Sequence, residues 1–161
     1  GSLAFTGNLN LYLAQLSAGA VVIACDLFDP RLWKQQLEAY RADGIYLIPA
    51  KLRALKQVYE REREPEKQTN RHIRLILSGS QSFGGAEALA VQCIFPHADL
   101  ILYYGASELN YVSYVHGRDM GEDKTLIPLW GIMVTGMKRE IFTLTAAEMI
   151  SAILMEERFH P

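Results

Sequence analysis

Residues 100–108, LILYYGASE, decide how the chain reads. Three aliphatic residues lead into two tyrosines, a glycine, two small residues and a carboxylate. That is the pattern of a buried strand delivering a polar loop at its carboxyl end, and a ligand is expected at that loop. Tyr104 offers a flat aromatic face, Gly105 lets a substrate approach the backbone closely, and Glu108 supplies the oxygen that a hard cation such as Mg2+ prefers.

The residues before this stretch alternate between strand and helix patterns. Residues 73–77 (IRLIL) read as a strand ending in Ser78-Gly79-Ser80-Gln81-Ser82, followed by a helix from about Gly84 to Phe95 that Pro96 closes. Further back, residues 45–48 (IYLI) form a strand, and Pro49 opens a helix with Leu52, Leu55 and Val58 or Tyr59 on its buried side. Residues 20–25 (AVVIAC) are expected to form another strand. They precede Asp29-Pro30, a helix cap with proline at the first helical position. That helix turns Leu32, Trp33, Gln36, Leu37 and Tyr40 to one face and is expected to end at Gly44. Residues 9–16 have helical spacing, 60–71 read as a solvated helix end and loop, and 109–116 as a strand. Thr145 caps a helix over 145–155. Strands alternating with helices predict an α/β fold with a largely parallel sheet and flanking helices. The loops after its strands gather on one edge, which brings the 78–82 and 104–108 loops together.

Composition narrows the function. The 161 residues are enough for one domain with a real core, and half are hydrophobic. A formal net charge of -2, with no basic patch, argues against nucleic-acid binding. No apolar run approaches the roughly 20 residues needed to span a bilayer, and no charged signal-peptide start is present. A cytoplasmic protein is expected, with Cys25 and Cys93 as buried, reduced thiols. Gly1-Ser2 reads as a tag remnant, so the natural chain is expected to start earlier.

The glycine-rich SGSQSFGG lacks the Lys-Ser/Thr ending of a P-loop, the G-x-G-x-x-G spacing and the G-x-S-x-G elbow of a hydrolase. His72, His97, His116 and His160 show no ligand spacing and read as surface or loop residues. Taken singly, each polar loop also fits a plain strand terminus. A strand ending in SGS, a helix, a proline and a second strand ending in YYGASE form a much rarer combination.

In that combination the chain resembles the adenylate-forming superfamily of acyl- and aryl-CoA ligases, luciferases and peptide-synthetase adenylation domains. The resemblance runs from Leu3 to about Ile127. Phe28-Asp29-Pro30 through Trp33 and Leu37, then Ile45 to Pro49, is similar to the family's "FDP, helix, strand, VP, helix" passage. Leu77-Ser78-Gly79-Ser80 resembles its "L-x-G-G/S-A" loop, and Tyr103 to Glu108 its "Y-G-x-T-E" loop. Thr135 to Glu140 (TGMKRE) looks weakly like the family's hinge, and 145–161 like the first helix of its small domain. The implied division is a partial large, adenine- and acyl-binding domain over 3–127, with the hinge and the start of a small carboxyl-terminal domain over 133–161. A segment is expected to be missing between Ile127 and Met133.

The resemblance implies site residues. Tyr104 would stack on adenine beside Tyr103, with Gly105 and Ala106 bordering the acyl pocket. Ser107, in the place of the family's threonine, would contact ATP phosphate, and Glu108 would help hold Mg2+. Gly79, Ser80 and Gln81 would line the adenine and substrate pockets. The implied activity joins a small-molecule carboxylic acid to ATP, then passes the acyl group to CoA or another thiol. The alternative is a catalytically silent module that binds a nucleotide or a protein. The family's phosphate loop, ribose aspartate and catalytic lysine have no counterpart here, so these 161 residues alone are expected not to adenylate at a useful rate. Apolar surface left by a partial core makes a homodimer an expected partner.

Overall fold

The computed structural model describes residues 6–25, 28–79, 81–106, 110–120, 127–128, 132–135 and 138–141. The expected helix over 145–155 lies outside them. The chain forms two compact units. One comprises Leu27–Tyr103 and Tyr114–Leu126, and the other Gly1–Asp26, Tyr104–Ser113 and Ile127–Pro161.

The unit built on Leu27–Tyr103 carries the alternating βα pattern. Helix α2 spans Pro30–Ala39, strand β1 Gly44–Tyr46, helix α3 Pro49–Glu60, strand β2 Leu75–Gly79, helix α4 Gly85–Ile94 and strand β3 Asp99–Ala106. A short 3-10 turn, Pro65–Gln68, precedes β2. β1 pairs in parallel with β2, and β2 in parallel with β3. Two crossovers of the same hand between sequential neighbours place α3 and α4 on one face of the sheet, and these two helices are in contact. Ile76, Leu77, Ser78 and Gly79 of β2 are all buried, as a central parallel strand requires on both faces. α3 buries Leu52, Leu55 and Tyr59, and α4 buries Ala88, Val91 and Ile94. Tyr59 and Phe95 meet edge to face with centroids 5.3 Å apart. Asn70 ties these elements together: its Nδ2 donates to the Tyr59 hydroxyl at 3.2 Å. Its Oδ1 accepts from the His72 and Ile73 amides at 2.9 and 3.3 Å.

Three expectations change. α2 begins as read, with Asp29 Oδ1 accepting from the Arg31 and Leu32 amides at 2.9 and 3.3 Å. It ends at Ala39 rather than at Gly44, because Arg41 takes the left-handed conformation at φ 48°. The amides of Arg41 and Ala42 return to the carbonyls of Glu38 and Leu37, which is a Schellman closure built on a non-glycine residue. Gly44 instead opens β1. Tyr40 is exposed, whereas Lys34 is buried against Glu38 and Glu62 at 3.0 and 3.1 Å. Cys93 is exposed on the outer side of α4 and Cys25 is half-buried; both are free thiols.

In the other unit, α1 covers Thr6–Ser17. The run over 20–25 is no strand: it has extended sequence character but no ladder partner among the described residues, and Val21 is 91% exposed. A β-branched composition favours a strand only where another strand offers its backbone. β4 spans Asn110–His116, its residues 114–116 counted with the first unit, and stands next to β3 in the strand order β1-β2-β3-β4-β5. Only three residues separate β3 from β4, too few for a parallel crossover, so this pair is antiparallel and the sheet is mixed. β5 is Ile127–Pro128, and β6 (Ile132–Thr135) pairs antiparallel with β7 (Lys138–Ile141). Of the stretch read as a hinge, Thr135 ends β6 and Lys138 to Glu140 lie in β7. No helix among the described residues is long and apolar enough to cross a membrane.

Candidate functional site

The carboxyl ends of β1, β2 and β3 carry the residues singled out by the sequence. Gly79 ends β2 opposite Tyr103 of β3. A Cβ on Gly79 would lie 2.6 Å from the Tyr103 carbonyl oxygen and 2.7 Å from ring carbons of Tyr103, so only glycine lets that ring cross the strand. The Tyr103 ring then stacks on Tyr46 of β1, 6.4 Å between centroids and 24° between planes. Their hydroxyls are 2.9 Å apart. Tyr103 is therefore a buried side chain turned towards β1. Tyr104, one residue on, is 56% exposed. The backbone of Gly105 and Ala106 completes β3. Ser80, Ser107 and Glu108 lie outside the described residues. Ser78, two residues before Ser80 and buried in β2, has no hydrogen-bond partner for its Oγ among the described residues.

The loop after β2 is held by α3. Gln81 Oε1 accepts from the Ala50 amide at 3.0 Å, capping a helix whose own N-cap, Ile48, has no side-chain acceptor. Arg53, one turn further along α3, donates through Nε to Glu87 Oε1 at 2.5 Å and through Nη2 to Glu87 Oε2 at 3.1 Å. The same Nη2 donates to the Ser82 carbonyl at 2.8 Å. The guanidinium also sits 5.7 Å from the centroid of the Phe83 ring. Glu87 Oε2 accepts from the Gly84 amide at 3.0 Å, closing the start of α4. The Arg53 hydrogen bond, aided by the Gly84 amide, lowers the Glu87 carboxyl to about 2. At the other end of the strands, His116 Nδ1 lies 2.8 Å from Asp99 Oδ1. The hydrogen bond to Asp99 raises the His116 pKa against the opposing effect of burial. His116 is thus a buried, paired histidine, unlike the surface residue its spacing suggested; its alternation within 110–116 was the available signal.

Among the described residues, no group of three His, Cys, Asp or Glu side chains could hold a metal ion. The carboxylate assigned to Mg2+, Glu108, is outside that set. Sequence reasoning missed Tyr46, Arg53 and Glu87. Each acts across 29 to 57 residues of chain, a separation at which spacing patterns carry no signal.

The family model described as AMP-binding enzyme matches residues 2–143. No curated protein matches the sequence. Among solved structures, O-succinylbenzoate coenzyme A synthetase (MenE) from Bacillus subtilis, in complex with ATP and magnesium ion, is similar with a TM-score of 0.68 at 14% identity. That match covers 88% of this chain and 29% of the other. VinN with L-aspartate matches with a TM-score of 0.54 at 21% identity over 65% of this chain and 26% of its own. The luciferase-like enzyme from the nonluminescent Zophobas morio mealworm gives 0.54 at 20%, over 65% and 24%. The matches thus span 24–29% of the length of these structures, and the likeness establishes the α/β fold.

Proposed function

Since the chain belongs to the family of AMP-binding enzymes, we propose that it supplies the adenine and acyl side of a site that activates a small-molecule carboxylic acid with ATP. An oxygen of the acid attacks the α-phosphorus, the bond to the bridging oxygen breaks, and pyrophosphate leaves with that electron pair. The thiol of CoA or of a carrier, losing its proton, then attacks the acyl carbon of the acyl-adenylate, and AMP leaves with the electron pair of the acyl–oxygen bond. The observation that carries this reading is Tyr104, a tyrosine with its side chain 56% exposed immediately before Gly105 near the end of β3. A buried ring could not stack on a base.

In this reading Tyr104 stacks on adenine and Gly105 lets ligand approach backbone, while Gly79 makes room for the Tyr103 ring. Ser107 donates its hydroxyl to a phosphate oxygen. Mg2+, which would neutralise phosphate charge, suits the hard oxygen donor that Glu108 provides. Residues 3–127 supply the adenine and acyl side, and 133–161 the hinge and start of a small domain. MenE, crystallised with ATP and magnesium, supports the choice of nucleotide and ion.

The test is AMP binding by titration calorimetry. Wild-type protein binds, and Tyr104→Ala weakens binding by about 1–3 kcal/mol, the scale of stacking a base on an aromatic ring. Equal affinity in both proteins would remove the nucleotide site from Tyr104 and favour a silent interaction module.

A further inference from the structure

A helix that no sequence motif connects to ligand binding holds the loop after β2 in place. We propose that Arg53 of α3 is the positioning residue for the 81–84 loop, and that through it α3 sets the affinity for nucleotide; this rests on the reading of that loop as part of the nucleotide site.

The geometry is that of a fork closing on two targets. Nε and Nη2 hold both oxygens of Glu87, so the guanidinium plane is fixed in orientation as well as position. Nη2 then has a defined direction in which to donate to the Ser82 carbonyl. Glu87 in turn receives the Gly84 amide, and Phe83 lies under the guanidinium. Ser82, Phe83 and Gly84 are thus each attached to one side chain or to its partner. Gln81 is tied to the first turn of the same helix through the Ala50 amide. Four consecutive loop residues are therefore tied to α3, and three of the four attachments involve Arg53 or its partner Glu87.

An open loop has many conformations, and a ligand that needs one of them loses affinity in proportion to that conformer's population. A lysine at 53 keeps the charge but presents one ammonium in place of a planar fork. It cannot hold Glu87 in two places and Ser82 in a third with the same geometry. This separates positioning from simple charge balance at the surface, where an ion pair between half-exposed groups contributes little.

The experiment compares wild type, Arg53→Lys and Arg53→Met. Amide hydrogen exchange is followed at residues 82–84, and the AMP Kd is measured at a temperature where circular dichroism shows all three folded. Expected is faster exchange at 82–84 in both variants with β2 and α3 unchanged. The AMP Kd is expected to rise about threefold to tenfold in Arg53→Lys, and at least as much in Arg53→Met. Unchanged exchange at 82–84 overturns the positioning role whether or not AMP binds. Faster exchange with unchanged Kd overturns the link to affinity. Absence of AMP binding by wild type fails the nucleotide reading and with it the claim on affinity, while the exchange data still decide the positioning role.

Discussion

Replacing Gly79 by alanine tests the close approach of β2 and β3 directly. The new Cβ would stand 2.6 Å from the Tyr103 carbonyl oxygen, where ordinary contact begins at 3.4 Å. About 0.8 Å must be found, and the obstacle is backbone on one side and a tethered ring on the other. The carbonyl belongs to a strand in register with β2 over five residue pairs, and the ring is held by the hydroxyl contact to Tyr46. Overpacking of this kind costs about 1–3 kcal/mol, and loss of the hydroxyl hydrogen bond adds about 1 kcal/mol. The reduced freedom of the unfolded chain with alanine returns about 0.4–1 kcal/mol. The net expectation is a loss of about 2–3 kcal/mol, or a fall in Tm of about 4–12 °C for a chain of this size. Urea denaturation followed by circular dichroism measures it, with the m-value unchanged. Tyr103→Phe should cost less in the Gly79→Ala background than in wild type, since the hydroxyl contact is already lost. A Gly79→Ala protein within about 0.5 kcal/mol of wild type, or strict additivity of the pair, would refute the clamp.

Further outcomes follow from single contacts. Glu87 has a folded-state pKa of about 2, below its ordinary value of 4.5, so its contribution is complete above pH 4.5 and lost as pH falls towards 2. The difference in urea midpoint between wild type and Glu87→Gln should shrink across that window and be flat above it. Asn70→Ala leaves the Tyr59 hydroxyl and the buried Ile73 amide without the partners they now have, at a cost of about 2–3 kcal/mol in chemical denaturation. Arg41→Gly relieves a left-handed non-glycine residue and should stabilise by about 0.5–1 kcal/mol, read as a higher Tm.

Local signals in the sequence were read correctly where the physics is local. Asp29-Pro30 caps a helix because its acceptor lies two and three residues from its donors. Pro49 and Pro96 mark a helix start and stop, and β2 and β3 are apolar runs that the sheet buries. Gly44 misled because a glycine after a helix can serve the next strand while Arg41 takes the left-handed turn. The 20–25 run misled because a strand exists only with a neighbour, which composition does not report. Of the candidate site, Tyr104 and Gly79 were legible as types in a spacing. The direction of Tyr103 was not: whether a tyrosine before the motif faces a ligand or a neighbouring strand depends on Gly79 and Tyr46, far away in the chain. The Arg53 fork was hidden for the same reason, since it joins residues 34 apart.

The solvent-facing run over 20–25 has a practical consequence. AVVIAC carries no charge and no proline, and Val21 and Ile23 are both exposed. Ala20 donates its amide to the Gln15 carbonyl, and an uncharged apolar run of this composition is the kind of segment that zips onto its own copy in stacked β-layers. Residues with no ladder partner among the described residues are expected to make concentrated preparations prone to precipitate. A charged residue in place of Val21 is the gatekeeper that would keep them in solution.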